Sequence, residues 1–492
     1  MNALRLTVFC FAFTALVSAQ AQTVAVAPPR QLSVVRVNVT NQPYDFGKPW
    51  GKRNPYSRRG IGAVLPNNRV LVTGEMVANA SYVELETPEG GRKAPAEVEA
   101  VDYEANLALL KTAEADFLKP FQPLELTIAT VGDSVAVWQL ENNGNLLVTR
   151  GTMTTAELSR YPVDDSTFLI YRLTASLQAR DSSYTMPIVK EGKLIGILTR
   201  FDASSSNVDV VPTPVIEHFL RDVAQAPYEG FPRAGLSFSN TRDPQLRRYL
   251  GLTEQGGVYI TEVNPHGPSA KAGLEKGDVL LRVDDQPIDQ DGNYMDSVYG
   301  KIAVGHLFSV RHYVGDKLKF SIWRGGAAKD LTVTMTRRPP EDFVVEPYII
   351  DRPPKFYVLG GLVLQELSRQ FLKEWGVDWA KKAPEDLVYV EKQQNELFPQ
   401  GGRKVVFLSR VLPSDATIGY EELHYLVVTK INGQEIQRLK DIPEALTKAV
   451  NGLHKIEFAS EPSPIFLDAA QVSASEEVLA KTYRLPALRR VE

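Results

Sequence analysis

Cysteine is nearly missing from the 492-residue sequence, where Cys10 stands alone. It lies inside an apolar run, so it supports neither a disulfide nor a lipid-anchored cysteine. A surplus of positive charge is missing too: 55 Lys and Arg face 59 Asp and Glu, for a formal net charge of -4. Without a clustered basic excess, neither nucleic acid nor an anionic membrane is an expected partner. Long apolar runs are absent as well, since the longest, residues 6–17, falls short of the ~20 residues needed to cross a bilayer. No membrane span is expected in the mature chain. Histidine is scarce, with six in all and His218 the first, so everything before it offers no imidazole to acid–base chemistry.

What is present describes a folded, exported chain of several units. At roughly 100–200 residues per domain the length allows about three. The balance of 43% apolar and 23% charged residues fits a soluble globular protein of mixed or mainly β type rather than a disordered one. Arg5 precedes the short apolar run, and Ala19-Gln20-Ala21 supplies a small-x-small cleavage site. Together they predict a signal peptide over residues 1–21 and a periplasmic or extracellular location.

Period-two alternation recurs along the chain, as half-buried strands require because successive side chains face opposite ways. Val35, Val37 and Val39 alternate with Arg36 and Asn38, and Leu318-Lys319-Phe320-Ser321-Ile322 repeats the pattern. Many short strands with few helices predict barrels or sandwiches. Two stretches read as linkers, residues 226–232 and the proline-rich 338–354. Pro212 and Pro214 precede Val215-Ile216-Glu217-His218-Phe219-Leu220, which predicts a helix closing the first unit. The expected units are residues 22–225, 230–337 and 355–492.

Several motifs give the first unit a family resemblance. Gly60-Ile61-Gly62-Ala63-Val64 is similar to the opening strand of HtrA/Deg serine proteases. Val70-Leu71-Val72-Thr73-Gly74-Glu75-Met76-Val77 stands where that family has I-L-T-N-x-H-V-V, and Glu104-Ala105-Asn106-Leu107-Ala108-Leu109-Leu110-Lys111 where it has D-L-A-L-L-K. Asp181-Ser182-Ser183-Tyr184-Thr185-Met186-Pro187 takes the place of P-G-N-S-G-G-P. The resemblance implies a trypsin-like double β-barrel whose base, orienting acid and nucleophile are replaced by Glu75, Asn106 and Tyr184. Ser182, Thr185 and Met186 replace the residues beside the nucleophile whose backbone freedom shapes an oxyanion hole. A serine hydroxyl needs a positioned base, usually histidine, and no Ser-His-Asp set can be assembled here. A rebuilt site with Glu75 as base toward Ser183 or Thr185 is the alternative; Lys190 and Lys193 read as solvated.

Residues 230–337 resemble an HtrA-type PDZ domain. Tyr249-Leu250-Gly251-Leu252 is expected to be the loop whose N–H groups cradle a peptide carboxylate, and Gly257-Val258-Tyr259-Ile260-Thr261-Glu262-Val263 the strand to which a peptide adds, with Val258 and Ile260 in the site. Pro268-Ser269-Ala270-Lys271-Ala272-Gly273-Leu274 continues the signature, and a helix near His306 should form the far wall. Asp289-Gln290-Asp291-Gly292 superficially resembles a calcium loop but lacks the remaining ligand spacing and reads as a turn. No metal and no cofactor are expected. Residues 355–492 resemble the C-terminal PDZ-like α+β extension of plant-type Deg proteases, through Gly360-Gly361-Leu362-Val363-Leu364 and Ile431-Asn432-Gly433. The resemblance implies homo-oligomers, trimers or larger. It also implies capture of peptides or unfolded envelope proteins in the PDZ groove, with a role as chaperone, scaffold or regulator. An active endopeptidase and a purely structural assembly protein are the competing readings.

Overall fold

The computed structural model describes residues 32–162, 166–177, 185–253 and 255–492. The expected signal peptide and Tyr184 lie outside them.

Two six-stranded barrels form the first unit, each closed on itself. Closure leaves no unpaired sheet edge. Strand Val34–Asn41 shows how the sequence drives it: Val35, Val37 and Val39 turn inward, while Arg36, Asn38 and Thr40 face outward between strands Tyr56–Leu65 and Ala80–Glu86. The second barrel runs from Ser134–Leu140 to Asn207–Pro212. The proline-led helix follows at Thr213–Val223, with Pro214 in its first turn and Val215, Ile216 and Phe219 buried.

A PDZ domain comes next. Its main sheet runs in the order Leu236–Ser239, Val258–Val263, Val279–Val283, Lys317–Arg324, Ala327–Thr334. A small hairpin, Asn293–Asp296 with Gly300–Ala303, and the one-turn helix Gly305–Ser309 fill the insertion. One hydrophobic core runs from the second barrel into this domain, joining Leu169, Leu173 and Phe219 to Leu307, Phe308 and Phe320. The last unit is a second PDZ domain built on an eight-stranded sheet, flanked by helices Glu385–Leu397 and Ala469–Thr482.

The two stretches that read as linkers are not free connections. In residues 226–232, Phe231 is fully buried, Tyr228 donates to Asp102, and the Gly230 N–H donates to Asp222. In residues 338–354, Val344 and Val345 pack with Phe371, Leu387 and Phe407 in the core of the last unit. Apolar side chains ahead of residue 355 are therefore buried with the last unit. Proline stiffens a segment without stopping its apolar side chains from being buried, and composition alone does not separate the two cases.

Candidate functional site

The family's catalytic cleft lies between the two barrels, and its surviving positions are held by ordinary structural contacts. Asn106 sits in a left-handed turn at φ 53°, a conformation asparagine tolerates. It is fully buried before strand Leu107–Thr112. Its Oδ1 accepts the Glu75 backbone N–H at 2.8 Å, and its Nδ2 donates to Thr199 Oγ1 on the second barrel at 2.9 Å. Both functions of the amide are thereby used, and Asn106 acts as a clasp across the barrels.

Glu75 is the second residue of the one-turn helix Gly74–Val77 and is partly exposed. Its carboxylate lies 3.6 Å from Arg58 Nη2, and Arg58 also donates to the Glu75 carbonyl. A guanidinium on the neighbouring strand therefore occupies the group that would have to serve as base. Thr185 is buried, its carbonyl accepts the Ile61 N–H at 3.1 Å, and its Oγ1 has no hydrogen-bond partner among the described residues. Gly60 lies so close that a Cβ there would stand 2.5 Å from the Thr185 methyl. Met186 joins the second-barrel core. Side chains thus occupy positions where the family resemblance implies glycine.

His218, the unit's one imidazole, is remote from any such chemistry. It is stacked between Phe231 and Tyr313 at 4.2 and 4.1 Å, and its Nδ1 lies 3.4 Å from the Val310 carbonyl. Burial pulls its pKa below the usual histidine value.

The peptide site expected at Tyr249, Leu250, Gly251 and Leu252 is overturned by hydrogen bonding. These residues close the helix Pro244–Tyr249, where the N–H groups of Leu250, Gly251 and Leu252 donate to the carbonyls of Leu246, Arg248 and Arg247. No cradle of free donors is left there. Leu252 packs on Val279 and Leu281, and the Leu250 carbonyl accepts Trp323 Nε1 at 2.9 Å. Strand Val258–Val263 is equally unavailable. It pairs with Leu236–Ser239 on one side and Val279–Val283 on the other, with Val258 and Ile260 fully buried.

The sheet ends at Leu236–Ser239 on one side and at Ala327–Thr334 on the other. Leu236 and Phe238 are half-buried and alternate with exposed Ser237 and Ser239, so one face offers apolar contact and the outer rim offers backbone groups. The Leu-Ser-Phe-Ser alternation was the available signal. It was hidden by brevity and by its place just after a stretch that reads as linker. The helix Gly305–Ser309 has His306, Leu307 and Phe308 buried and packs against the second-barrel strand Thr167–Thr174. At Asp289-Gln290-Asp291-Gly292 the chain makes a turn in which Asp289 accepts the N–H groups of Asp291 and Asn293. Lys301 and Arg242 pair with Asp289 and Asp291.

PDZ-domain family models match residues 232–335 and 345–490. Protease Do-like 2, chloroplastic, of Arabidopsis thaliana is 27% identical over 467 residues, covering 94% of this chain and 75% of that protein. Protease Do-like 4, mitochondrial, of the same plant is 24% identical over 92% of this chain and 84% of its own length. The periplasmic serine endoprotease DegP of Salmonella typhimurium matches 48% of this chain and 50% of its own length at 24% identity. Among solved structures, the HtrA-type protease AlgW with decapeptide aligns at TM-score 0.47 and 20% identity, over 63% of this chain and 96% of that one. With a trypsin-like double barrel, two PDZ domains and similarity to Do-like proteases along nearly its whole length, the chain belongs to the HtrA/Deg family.

Proposed function

We propose that the protein is an exported pseudoprotease that captures extended peptide segments at its first PDZ domain and serves protein quality control as a chaperone, scaffold or regulator. One observation carries the reading: Glu75 and Asn106 are engaged by Arg58 and Thr199 and no imidazole stands near them, while the PDZ sheet keeps an unpaired edge at Leu236–Ser239. A peptide adding to that edge would gain main-chain hydrogen bonds there and side-chain contact with Leu236 and Phe238. Self-association into trimers or larger assemblies and delivery by the N-terminal signal belong to the same reading.

The test pairs two measurements on purified mature protein. Casein should remain intact on prolonged incubation, and fluorescently labelled peptides with free apolar C-termini should bind saturably. Time-dependent casein cleavage that is lost on changing Ser183 or Thr185 would establish a rebuilt protease instead. Absence of peptide binding would leave an assembly protein. Light scattering reads the oligomer directly, and a monomer at all concentrations would remove that part.

A further inference from the structure

We propose that the cavity where the three units meet is a binding site for a soluble phosphate-class oxyanion carrying several charges. The cavity encloses about 870 Å³, many times the ~30 Å³ share of one water in the liquid. Its walls come from the first barrel at Glu104, the first PDZ domain at Arg233 and Lys271, the connecting segment at Arg337 and Arg338, and the last unit at Arg403 and Arg438.

Lysines and arginines outnumber carboxylates on this wall, where Glu104, Glu341 and Asp342 face Arg233, Lys271, Arg337, Arg338, Arg369, Arg403, Lys404 and Arg438. Arg233 and Arg337 share the single carboxylate of buried Glu104, each at 3.0 Å. Arg403 is held by Glu435, and Lys404, also on the wall, by Glu346. Lys271, Arg338 and Arg438 have no carboxylate within ion-pair distance among the described residues. Arg338 and Arg438 instead donate through Nη2 to the carbonyls of Asp342 and Gly402, and each guanidinium retains further N–H donors. Burial pulls Arg338 below the usual arginine value, and nearby Asp342 opposes that shift only in part.

Guanidinium forks match the geometry of tetrahedral oxyanions, and a multivalent anion can engage several at once. The three unpaired cations belong to three different parts of the chain, so one ligand would tie the first PDZ domain, the connecting segment and the last unit together. His266 of the first PDZ domain lies on the same wall and abuts Gly401 of the last unit, its Nε2 buried without a partner among the described residues. The inference goes beyond peptide capture and does not depend on it.

Titration calorimetry of the mature protein with sodium tripolyphosphate, at ionic strength held constant with sodium chloride, tests it. Saturable binding of one ion per chain is expected, with orthophosphate weaker. Neutralising two of the three cations in Lys271→Gln/Arg438→Gln should weaken binding at least about tenfold, because charge-assisted hydrogen bonds are lost. Lys271 is exposed, so Lys271→Gln alone should keep the wild-type melting temperature and still lose part of the affinity. Flotation with phosphatidylglycerol vesicles should leave the protein unbound. No saturable heat, unchanged affinity in the double variant, or vesicle binding that the double variant abolishes would each overturn the proposal.

Discussion

Asn79 and Asp351 exchange hydrogen bonds in both directions: the Asn79 N–H donates to Asp351 Oδ1 at 2.7 Å, and the Asp351 N–H donates to Asn79 Oδ1 at 3.1 Å. Tyr103 donates its hydroxyl to the other oxygen of the same carboxylate. The end of the 338–354 segment is thereby buckled onto the first barrel. Neighbouring contacts repeat the attachment, with Gln365 Nε2 donating to the Phe46 carbonyl at 3.1 Å and Trp50 meeting Phe356 edge-on.

Asp351→Ala should loosen that buckle. Two side-chain hydrogen bonds are lost, one from the buried Tyr103 hydroxyl, and alanine is strained at the left-handed φ, so the cost is expected at about 2–3 kcal/mol. It should appear as a lower melting temperature and faster proteolytic nicking within residues 338–354. Asp351→Asn keeps an acceptor and tolerates the left-handed φ of 62°, and should recover most of the loss. Nicking at the wild-type rate in Asp351→Ala would show that the other contacts hold the segment alone.

Restoring the three catalytic side chains should not restore the enzyme. Glu75→His, Asn106→Asp and Tyr184→Ser together rebuild the residue types of the triad, and the Asn106 position already holds the backbone of residue 75. Thr185 and Met186 remain, both buried. Losing a single oxyanion donor costs about 10²–10³ in rate, so casein hydrolysis by the triple variant should stay near background. Strong hydrolysis would mean that these side chains do not disturb the oxyanion donors.

The barrels and the PDZ domains were legible because strand alternation, turn glycines and the Pro214 helix start are local signals. Val35, Val37 and Val39 show their facing without any tertiary information. The reading of Glu75, Asn106 and Tyr184 as replaced catalytic positions rests on their spacing to flanking motifs alone, and Tyr184 lies outside the described residues. The unpaired sheet edge was not, because sheet order is non-local: Val258 and Ile260 are apolar and alternate as an exposed-edge strand would, and only their pairing on both sides shows them central. Burial of Val344 and Val345 within a proline-rich stretch was hidden for the same reason, since their partners Phe371 and Phe407 lie far along the chain.

Relocating the peptide edge gives a paired prediction. Gly251 has φ 59° and open space where a Cβ would go, so Gly251→Asn should cost little stability and leave peptide binding unchanged. The Asn264 N–H donates to the Gly235 carbonyl, so in this register Ser237 bonds into the ladder and the Leu236 N–H faces outward. Leu236→Pro removes that outward donor at the first residue of the edge, where proline is tolerated better than in a central strand. It should weaken peptide binding by about tenfold or more, as loss of a well-made contact does. Fluorescence anisotropy with one labelled peptide reads both variants, and the reverse ranking would return the site to the Tyr249–Leu252 turn.

Acid should loosen the junction between the second barrel and the first PDZ domain through His306. Its Nδ1 lies 2.6 Å from the Tyr294 hydroxyl, which donates to Asp296 at 3.1 Å. Nδ1 must therefore carry the hydrogen and donate to Tyr294, which leaves Nε2 unprotonated and buried without a partner among the described residues. Tyr299 packs edge-on against the same ring and bonds Tyr171 of the barrel at 2.7 Å, so the histidine sits against the inter-unit contact. Burial pushes its pKa down to about 4; nearby Asp296 opposes that shift and Arg311 adds to it. The sign follows from proton uptake: between the ordinary value near 6.5 and about 4 the unfolded chain binds a proton that the folded one refuses. The His306 contribution is thus intact above pH ~6.5, declines as pH falls, and levels off below pH 4, with a total near 3 kcal/mol for a shift of this size. His306→Gln keeps a donor for Tyr294 and cannot titrate, so its melting temperature should fall less steeply than the wild type's across pH 6.5 to 4. Parallel slopes for the two proteins would assign the acid sensitivity to the carboxylates instead.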